Sequence, residues 1–290
     1  MQKYIDEFKR AVKDLHVCEG DILYVASDVT LLMYYAYKNS NIKTVEQGNR
    51  FLNNLVNIFQ NTVGEKGTLV FPIFSWEFCK GEKFDYKKTK GDTGTLSNWI
   101  LANRKEFIRT RHPIYSFMVW GRDAAYLKSL NNLDGWGADS PFSYLHKNNA
   151  KFLLLGVDLN QCFTFMHYVE KELKVPYRYM KAFNSKYIDE QGEVEERTYS
   201  MYVRDLDIES ETCLSEEFLV DQHKHSIVLF GQTKMFIVEL AKAYNDIRND
   251  LLNNQGRHCY KFFNYELDWT KEATHADEFN DNYLYGVNKL

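Results

Sequence analysis

The stretch KFLLLGVDLNQCFTFMHYVE, residues 151–170, joins a strand pattern to a helix pattern. Its first seven residues, KFLLLGV, form the most apolar run in the chain, which is typical of a strand buried on both faces. Phe163, Met166 and Val169 then recur every three residues, which predicts a helix with one apolar face. A buried strand that leads directly into a helix indicates an α/β fold.

Two polar residues lie on this predicted helix. His167 and Glu170 are three residues apart and therefore share a helix face. Both follow the carboxyl end of a core strand, where open α/β sheets bind their ligands. An imidazole held by a carboxylate is suited to proton transfer. The alternatives are a histidine that only packs in the core and a glutamate that forms an ordinary surface pair.

The rest of the chain alternates between similar strand and helix patterns. Apolar, β-rich runs at 21–27, 67–74 and 115–121 predict further strands, and helical patterns follow Asp28 and cover 45–63 and about 95–103. Ser140-Pro141 has the sequence of a helix start. The polar segment 81–94 is long for a passive connection.

The pattern changes at Tyr177. Two segments with period-two alternation flank Glu190-Gln191-Gly192-Glu193, which predicts a long antiparallel hairpin inserted at 177–225. A strand at 225–232 and a helix beginning at Thr233 are expected next, whereas the tail from Arg257 allows no assignment. Residues 1–290 are therefore expected to form a single α/β domain with a central mixed sheet flanked by helices and an inserted hairpin subdomain.

Composition excludes several classes of function. With 36 basic and 40 acidic residues, the net charge is −4, and no Lys/Arg run is long enough to bind a nucleic-acid backbone. The five cysteines include no C-x-x-C pair and are expected to be reduced thiols. Without an apolar leader or a run of membrane-spanning length, the chain is expected to be cytoplasmic and to make no membrane contact.

Short motifs exclude other chemistries. His223 and His225 have the spacing of a metal pair, but no carboxylate or thiol is spaced to complete the site, so no metal is expected. The sequence contains no G-x-S-x-G, Walker or G-x-G-x-x-G motif, which removes the basis for hydrolase and nucleotidase functions.

Several ordered motifs together resemble the aminoglycoside 3-N-acetyltransferase family, whose antibiotic N-acetyltransferase fold is distinct from that of the GNAT acetyltransferases. The motifs are TLVFPIFSWEF, FDYKKTKGDTGTLSNWI, RTRHPIYSFMVWG, GWGADSPFSYLHKNNAKFLLLGVDLNQCFTFMHYVE and VPYRY. The family's T-x-x-H-x-x-E pattern falls on Thr164, His167 and Glu170. Its R-x-x-H-P-x-x-S pattern falls on Arg109, His112, Pro113 and Ser116.

The resemblance implies acetyl-CoA as donor and an amine on a sugar or aminocyclitol as acceptor. Under this hypothesis His167 is the general base and Glu170 orients its ring, with Thr164 beside them. Asp158 is a rival for the orienting role and otherwise faces a cationic acceptor. The small-molecule acceptor is an aminoglycoside or a nucleotide-linked amino sugar, and the sequence leaves a homo-oligomer open.

The donor is expected at helix N-termini, where free N–H groups bind anionic phosphates. The candidates are Ser27, Asp28 and Val29 at a strand-to-helix turn, Thr93 ahead of Gly94, Ser75 between two aromatic residues, and His112 with Ser116 near the thioester. Each has a structural alternative: Asp28 as an N-cap, Thr93-Gly94 as a turn, the aromatic residues as core, and His112 as a residue fixed by Pro113.

Charged residues of the hairpin region indicate which kind of acceptor would bind. Asp205 and Asp207 would attract a cationic amine, whereas Arg178, Lys181, Lys186 and Arg204 would suit a diphosphate. Ala26-Ser27-Asp28 replaces the His-Ser-Ser-type turn that is usual in the family. That departure motivates the alternative of a non-catalytic CoA-binding or partner-binding protein.

Overall fold

The computed structural model describes residues 2–40, 42–220 and 227–278. Its helices are α1 (Gln2–Asp14), α2 (Thr30–Ser40), α3 (Val45–Val63), α4 (Thr95–Asn103), α5 (Ala124–Ser129), α6 (Pro141–Lys147), α7 (Leu159–Cys162), α8 (Phe165–Leu173), α9 (Glu216–Leu219) and α10 (Leu240–Asn253). Its strands are β1 (Ile22–Ser27), β2 (Thr68–Phe74), β3 (Phe84–Asp85), β4 (Ile108–Arg109), β5 (Tyr115–Gly121), β6 (Lys151–Leu155), β7 (Arg178–Ile188), β8 (Val194–Arg204), β9 (Ser210–Thr212), β10 (Val228–Phe230), β11 (Thr233–Glu239) and β12 (Tyr260–Phe262).

The central sheet is mixed, as predicted. Within the described residues it has seven strands in the order β10-β11-β6-β1-β2-β5-β4. The inner strands β6, β1 and β2 are parallel, and β11 and β5 pair antiparallel with β6 and β2. The carboxyl ends of the three parallel strands therefore meet at one edge of the sheet.

Helices cover both faces of this sheet because its inner strands are apolar on both sides. Along β1, Leu23 and Val25 pack towards α1, α2, α3 and α4, whereas Tyr24 packs towards α6, α8 and α10. This alternation is the period-two geometry of a strand. Fully burying each large apolar side chain in these two layers contributes about 1.5–3 kcal/mol.

Caps fix the bounds of several helices. The Thr44 hydroxyl accepts a hydrogen bond from the backbone N–H of Gln47 at the start of α3, and Gln47 Oε1 accepts one from the backbone N–H of Thr44. The predicted start of α6 is confirmed, because Ser140 accepts from the N–H of Ser143 and Pro141 occupies the first turn. Both caps satisfy N–H groups that have no partner within the helix.

The predicted hairpin consists of β7 and β8. The two strands pair antiparallel from Arg178↔Arg204 to Ile188↔Val194, and Asp189 accepts three backbone N–H groups in the turn. β3 adds a parallel strand to β7, and Ser200 forms a bridge to Asp134 of the main body. The hairpin thus lies against the same side of the molecule as α8.

Two predicted boundaries are wrong. Residues 233–239 are strand β11, and the helix expected from Thr233 begins only at Leu240. The β-rich segment TKMFIVE pairs with β6, and that pairing outweighs its helical spacing. The helix pattern that includes Phe163 is also interrupted, because α7 ends at Cys162 and α8 starts at Phe165.

The tail after Arg257 contributes a further strand. β12 pairs antiparallel with β9, so that the tail lies beside the base of the hairpin. Of the strand predicted at 225–232, only part is described, and His223 and His225 lie outside the described residues. In the ranges that are described, no helix is both long and apolar enough to cross a bilayer.

Candidate active site

Two cavities meet at the carboxyl edge of the parallel strands. The first, which we call the strand-end cavity, has a volume of about 590 Å³. The second, which we call the hairpin cavity, has a volume of about 840 Å³. Among the described residues, three line both cavities: Tyr115, Gln161 and His167.

The strand-end cavity lies at the start of several helices. It is lined by Ser27 and Thr30 at the start of α2, by Thr93, Gly94 and Thr95 at the start of α4, and by Thr164 at the start of α8. The first N–H groups of a helix have no partner within it and carry a partial positive charge. This cavity therefore offers N–H donors to a ligand that is anionic or rich in amide groups.

Local hydrogen bonds shape this cavity. Asp28 Oδ1 accepts from the backbone N–H of Thr30 at 2.8 Å, so its carboxylate caps the α2 entry. Thr93 Oγ1 accepts from the N–H of Phe74 at 3.2 Å and ties the 81–94 segment to the end of β2. Gly94 begins α4 with φ of 75°, a left-handed conformation that favours glycine.

His167 and Glu170 form a hydrogen-bonded pair at the junction of the cavities. His167 Nδ1 lies 2.7 Å from Glu170 Oε2, as their positions on α8 predict. The His167 side chain is 26% exposed, whereas Glu170 is fully buried. Tyr177 donates its hydroxyl to Glu170 Oε1 at 2.8 Å, and Arg178 Nε lies 2.9 Å from Oε2.

Electrostatics fix the protonation of this pair. Burial by itself raises the pKa of Glu170, but Arg178 and His167 outweigh it and lower that pKa to about 2. Burial, together with the charges of Arg178 and Arg204, lowers the pKa of His167 although Glu170 opposes the shift. At neutral pH Glu170 is therefore an acceptor only, so the neutral His167 ring must carry its proton on Nδ1. Its Nε2 keeps a lone pair that can accept a proton.

Aromatic side chains hold the ring from the other side. Trp136 is buried and meets His167 edge to face, with ring centroids 5.6 Å apart. Tyr115 packs against Trp136 and points its hydroxyl at Met201 Sδ, 3.7 Å away. The hairpin cavity is thus bounded by aromatic rings where it reaches His167.

Sequence comparison identifies the family of the chain. The family model for aminoglycoside 3-N-acetyltransferase matches residues 38–251. The chain belongs to this family. A curated relative, the SPbeta prophage-derived aminoglycoside N(3′)-acetyltransferase-like protein YokD of Bacillus subtilis, is 25% identical over 143 residues, which cover 41% of this chain and 50% of YokD. The match thus spans about half of the length of that relative.

Several solved structures have a similar fold. The crystal structure of YokD superposes with a TM-score of 0.65 at 20% identity, covering 86% of this chain and 99% of YokD. AAC-IIIb in its binary complex with CoASH gives 0.64 at 18% identity, with 84% and 94% coverage. AAC-VIa bound to sisomicin gives 0.64 at 16% identity, with 86% and 97% coverage. At these identities the likeness concerns the fold.

The structure brings part of the predicted acetyltransferase site together. The strand-end cavity is lined by five predicted residues: Ser27, Asp28, Thr93, Thr164 and His167. Glu170 is hydrogen-bonded to His167. The two halves of the prediction, a proton-transfer pair and a set of helix starts, therefore lie at one place.

Other predicted donor residues lie elsewhere. His112 and Ser116 are buried outside the described lining of both cavities. His112 Nδ1 accepts from the backbone N–H of Tyr115 at 3.0 Å, and Ser116 bonds Arg109 and the Ile73 carbonyl. These contacts give both residues a structural role, and their place beside the thioester stays a prediction.

Ser75 and Val29 are also buried away from the described cavity walls. The backbone N–H of Ser75 donates to the Ile114 carbonyl, and its hydroxyl accepts from Glu77 at 3.4 Å. Val29 belongs to the core beneath α2. The described cavity lining therefore includes their chain neighbours Asp28, Thr30, Phe74 and Trp76 but not Val29 or Ser75.

The predicted acidic side chains do not line the hairpin cavity as far as it is described. Asp158 accepts from the N–H of Asn160 at 2.8 Å and caps α7. Asp205 lies 3.4 Å from His275, and the ligand atoms of Asp205, Asp207 and His275 lie within 4.8 Å of one another. Glu170 rather than Asp158 therefore has the orienting position at His167.

Several residues of the site escaped the sequence analysis, among them Tyr115 and Gln161, which line both cavities. Tyr177 and Trp136 contact the His167–Glu170 pair, and Tyr260 of the unassigned tail lies 3.1 Å from Arg178 Nη2. The sequence Gly135-Trp136-Gly137 could have marked Trp136, since glycine is used where the backbone approaches a neighbour closely. In the structure a Cβ on Gly135 would come within 2.7 Å of the Tyr115 ring. No comparable signal marked Tyr260.

Proposed function

We propose that this chain transfers the acetyl group of acetyl-CoA to the amine of an amino sugar, either an aminoglycoside or a nucleotide-linked amino sugar. The observation that carries the proposal is His167, which lines both cavities and is bonded at Nδ1 to an ionised Glu170. Membership of the aminoglycoside 3-N-acetyltransferase family supports it.

His167 is the general base of the proposed step. An alkylammonium with a pKa near 10 must lose a proton before it can attack a thioester. The ammonium first releases one proton to water, and Nε2 of His167 accepts a second proton from the nitrogen as the neutral amine bonds to the carbonyl carbon. The C–S bond breaks with its electron pair on sulfur, and the imidazolium returns the proton to the departing thiolate. Glu170 stabilises the imidazolium while it lasts.

The donor is assigned to the strand-end cavity. Its helix starts present N–H groups suited to the phosphates and amides of coenzyme A. Thr93 and Ser27 add hydroxyls, and Thr164 lies one turn before His167. AAC-IIIb, which shares the fold, binds CoASH. The acceptor is then assigned to the hairpin cavity on the other side of His167.

The test measures thiol release from acetyl-CoA with a chromogenic disulfide, across aminoglycosides and amino-sugar nucleotides. His167→Asn is expected to lower acceptor-dependent release by roughly 10²-fold or more, as expected for loss of a general base. His16→Asn is the matched control, since His16 is exposed and lines neither described cavity. Wild-type protein that binds CoA in a thermal-shift assay yet releases no thiol with any amine would favour a non-catalytic CoA-binding protein.

A further inference from the structure

We propose that the acceptor amine also carries a phosphoryl group, which the positive charges of Lys181 and Arg204 attract into the hairpin cavity. The inference rests on the proposed transfer to an amine and specifies which amine. Phosphate oxygens pair well with such cations through charge-assisted hydrogen bonds.

The charges around the hairpin cavity favour an anion. Its described lining includes Arg178, Lys181, Arg204 and a single carboxylate, that of Glu211. Arg178 is buried and is neutralised by Glu170. Within the described residues, Lys181 and Arg204 form no ion pair with a carboxylate, although both line the cavity. Their charges are therefore available to a ligand.

The strand register places Arg204 in a position that an anion would stabilise. Arg204 lies directly opposite Arg178 in the β7–β8 pairing. Like charges at opposed positions of an antiparallel pair are destabilising. Glu170 compensates only Arg178, and the charge of Arg204 also reaches His167, whose pKa it helps to lower. A phosphoryl group at Arg204 would offset this repulsion.

Lys181 lies near the reacting end of the cavity. It is opposite Met201, whose sulfur contacts the Tyr115 hydroxyl where the two cavities meet. Tyr179 and Phe183 are two residues away along β7, and therefore lie on the same face of the strand. Both line the cavity, where the Tyr179 ring packs on His275 and the Lys181 ammonium lies 6.0 Å from the centroid of the Phe183 ring. Lys181 thus has the position to hold a phosphoryl group close to the amine.

A polycationic acceptor fits this cavity poorly. Several ammonium groups would need several carboxylates, and Glu211 is the one supplied by the described lining. Asp158 is occupied as the α7 cap, and Asp205 faces His275. The same cavity should therefore discriminate against an aminoglycoside such as sisomicin.

The experiment compares kcat/KM for glucosamine, glucosamine 1-phosphate, UDP-glucosamine and sisomicin. The phosphorylated acceptors should exceed glucosamine by roughly tenfold or more, the size expected for one or two charge-assisted bonds. A gain shared by both phosphorylated acceptors would identify the phosphoryl group as the recognised element. A larger gain for UDP-glucosamine would add the nucleotide.

Variants separate the two cations from general charge. The double variant Lys181→Gln/Arg204→Gln should reduce the kcat/KM ratio of glucosamine 1-phosphate to glucosamine by roughly tenfold. Lys186→Gln removes one positive charge from an exposed β7 position outside the described cavity lining, and should leave that ratio unchanged. Equal kcat/KM for glucosamine and its phosphate, or a higher value for sisomicin, would overturn the proposal.

Failure of the proposed acetyl transfer can be distinguished from failure of the proposed phosphoryl site. If no amine supports thiol release, glucosamine 1-phosphate is titrated calorimetrically into CoA-saturated protein at low and high salt. Salt-sensitive binding that weakens roughly tenfold in the double variant supports the phosphoryl site without turnover. Undetectable binding, or binding equal in the wild type and the double variant, overturns it.

Discussion

Glu170 and His167 contact each other, yet their substitutions are expected to differ in effect. Glu170→Gln leaves the Arg178 guanidinium buried without its counter-ion, which typically destabilises a protein by about 3–5 kcal/mol. It also leaves one acceptor oxygen where Glu170 has two, so the amide cannot accept from both His167 Nδ1 and the Tyr177 hydroxyl. His167→Gln removes the base from a side chain that is 26% exposed, and no buried charge loses its only partner.

Urea unfolding and thiol release together test this contrast. Both variants should lose acceptor-dependent release by roughly 10²-fold or more, but only Glu170→Gln should shift the urea midpoint strongly. Equal midpoints for the two variants would contradict the view that Glu170 is the anchor of a buried charge network. Full activity in Glu170→Gln would remove it from the mechanism.

At the scale of elements, the tail strand β12 supports the His167–Glu170 pair through Arg178. Tyr260 lies 3.1 Å from Arg178 Nη2, and Arg178 in turn holds Glu170. Tyr260→Phe should therefore cost about 0.5–1.5 kcal/mol of stability, the contribution of a typical hydrogen bond, and should lower kcat modestly. Tyr265→Phe is the matched control, because Tyr265 lies in the same tail and its ring packs on Tyr177.

The outcome is read from chemical denaturation and kcat together. A loss in Tyr260→Phe that matches the loss in Tyr265→Phe would mean that the tail contributes packing alone. A larger loss of kcat in Tyr260→Phe, with unchanged KM for acetyl-CoA, would show that the hydrogen bond acts through Arg178 on the His167–Glu170 pair.

How far sequence predicts this fold depends on where each element gets its stability. β6 and the long hairpin were predictable because their apolar runs and period-two alternation are local. β11 was mistaken for the start of a helix because its TKMFIVE segment has helical spacing, and only pairing with β6 decides the matter. The contact between Tyr260 and Arg178 joins residues 82 apart, which no local pattern reports.

In the candidate site, too, local spacing was predictable from the sequence and tertiary packing was not. His167 and Glu170 are predictable as a pair because three-residue spacing on a helix fixes their separation. Whether a residue beside a motif faces the cavity is decided by tertiary packing. Ser27 lines the strand-end cavity, whereas Val29, two residues later, is buried beneath α2.

For the whole molecule, two histidines should make folding sensitive to acid. Burial lowers the pKa of His112 to about 3, and Nδ1 accepts from the N–H groups of Ile114 and Tyr115, which a protonated ring could not do. The unfolded chain, with a histidine pKa near 6.5, binds the proton more readily. Stability from His112 is therefore complete above about pH 6.5 and is lost as pH falls towards 3, at about 1.4 kcal/mol per pH unit. The lowered pKa of His167 acts in the same direction.

Urea unfolding at pH 7.5 and pH 5 tests this linkage. The wild type should lose about 2 kcal/mol from His112 alone over this interval, with His167 adding to the loss. His112→Gln keeps an acceptor near the two N–H groups and cannot titrate, so it should be less stable at pH 7.5 but lose less on acidification. Parallel losses in the two proteins would place the acid sensitivity in other groups. Glu170, with its pKa lowered to about 2, extends the loss below about pH 4.5, where the unfolded carboxyl takes up protons first.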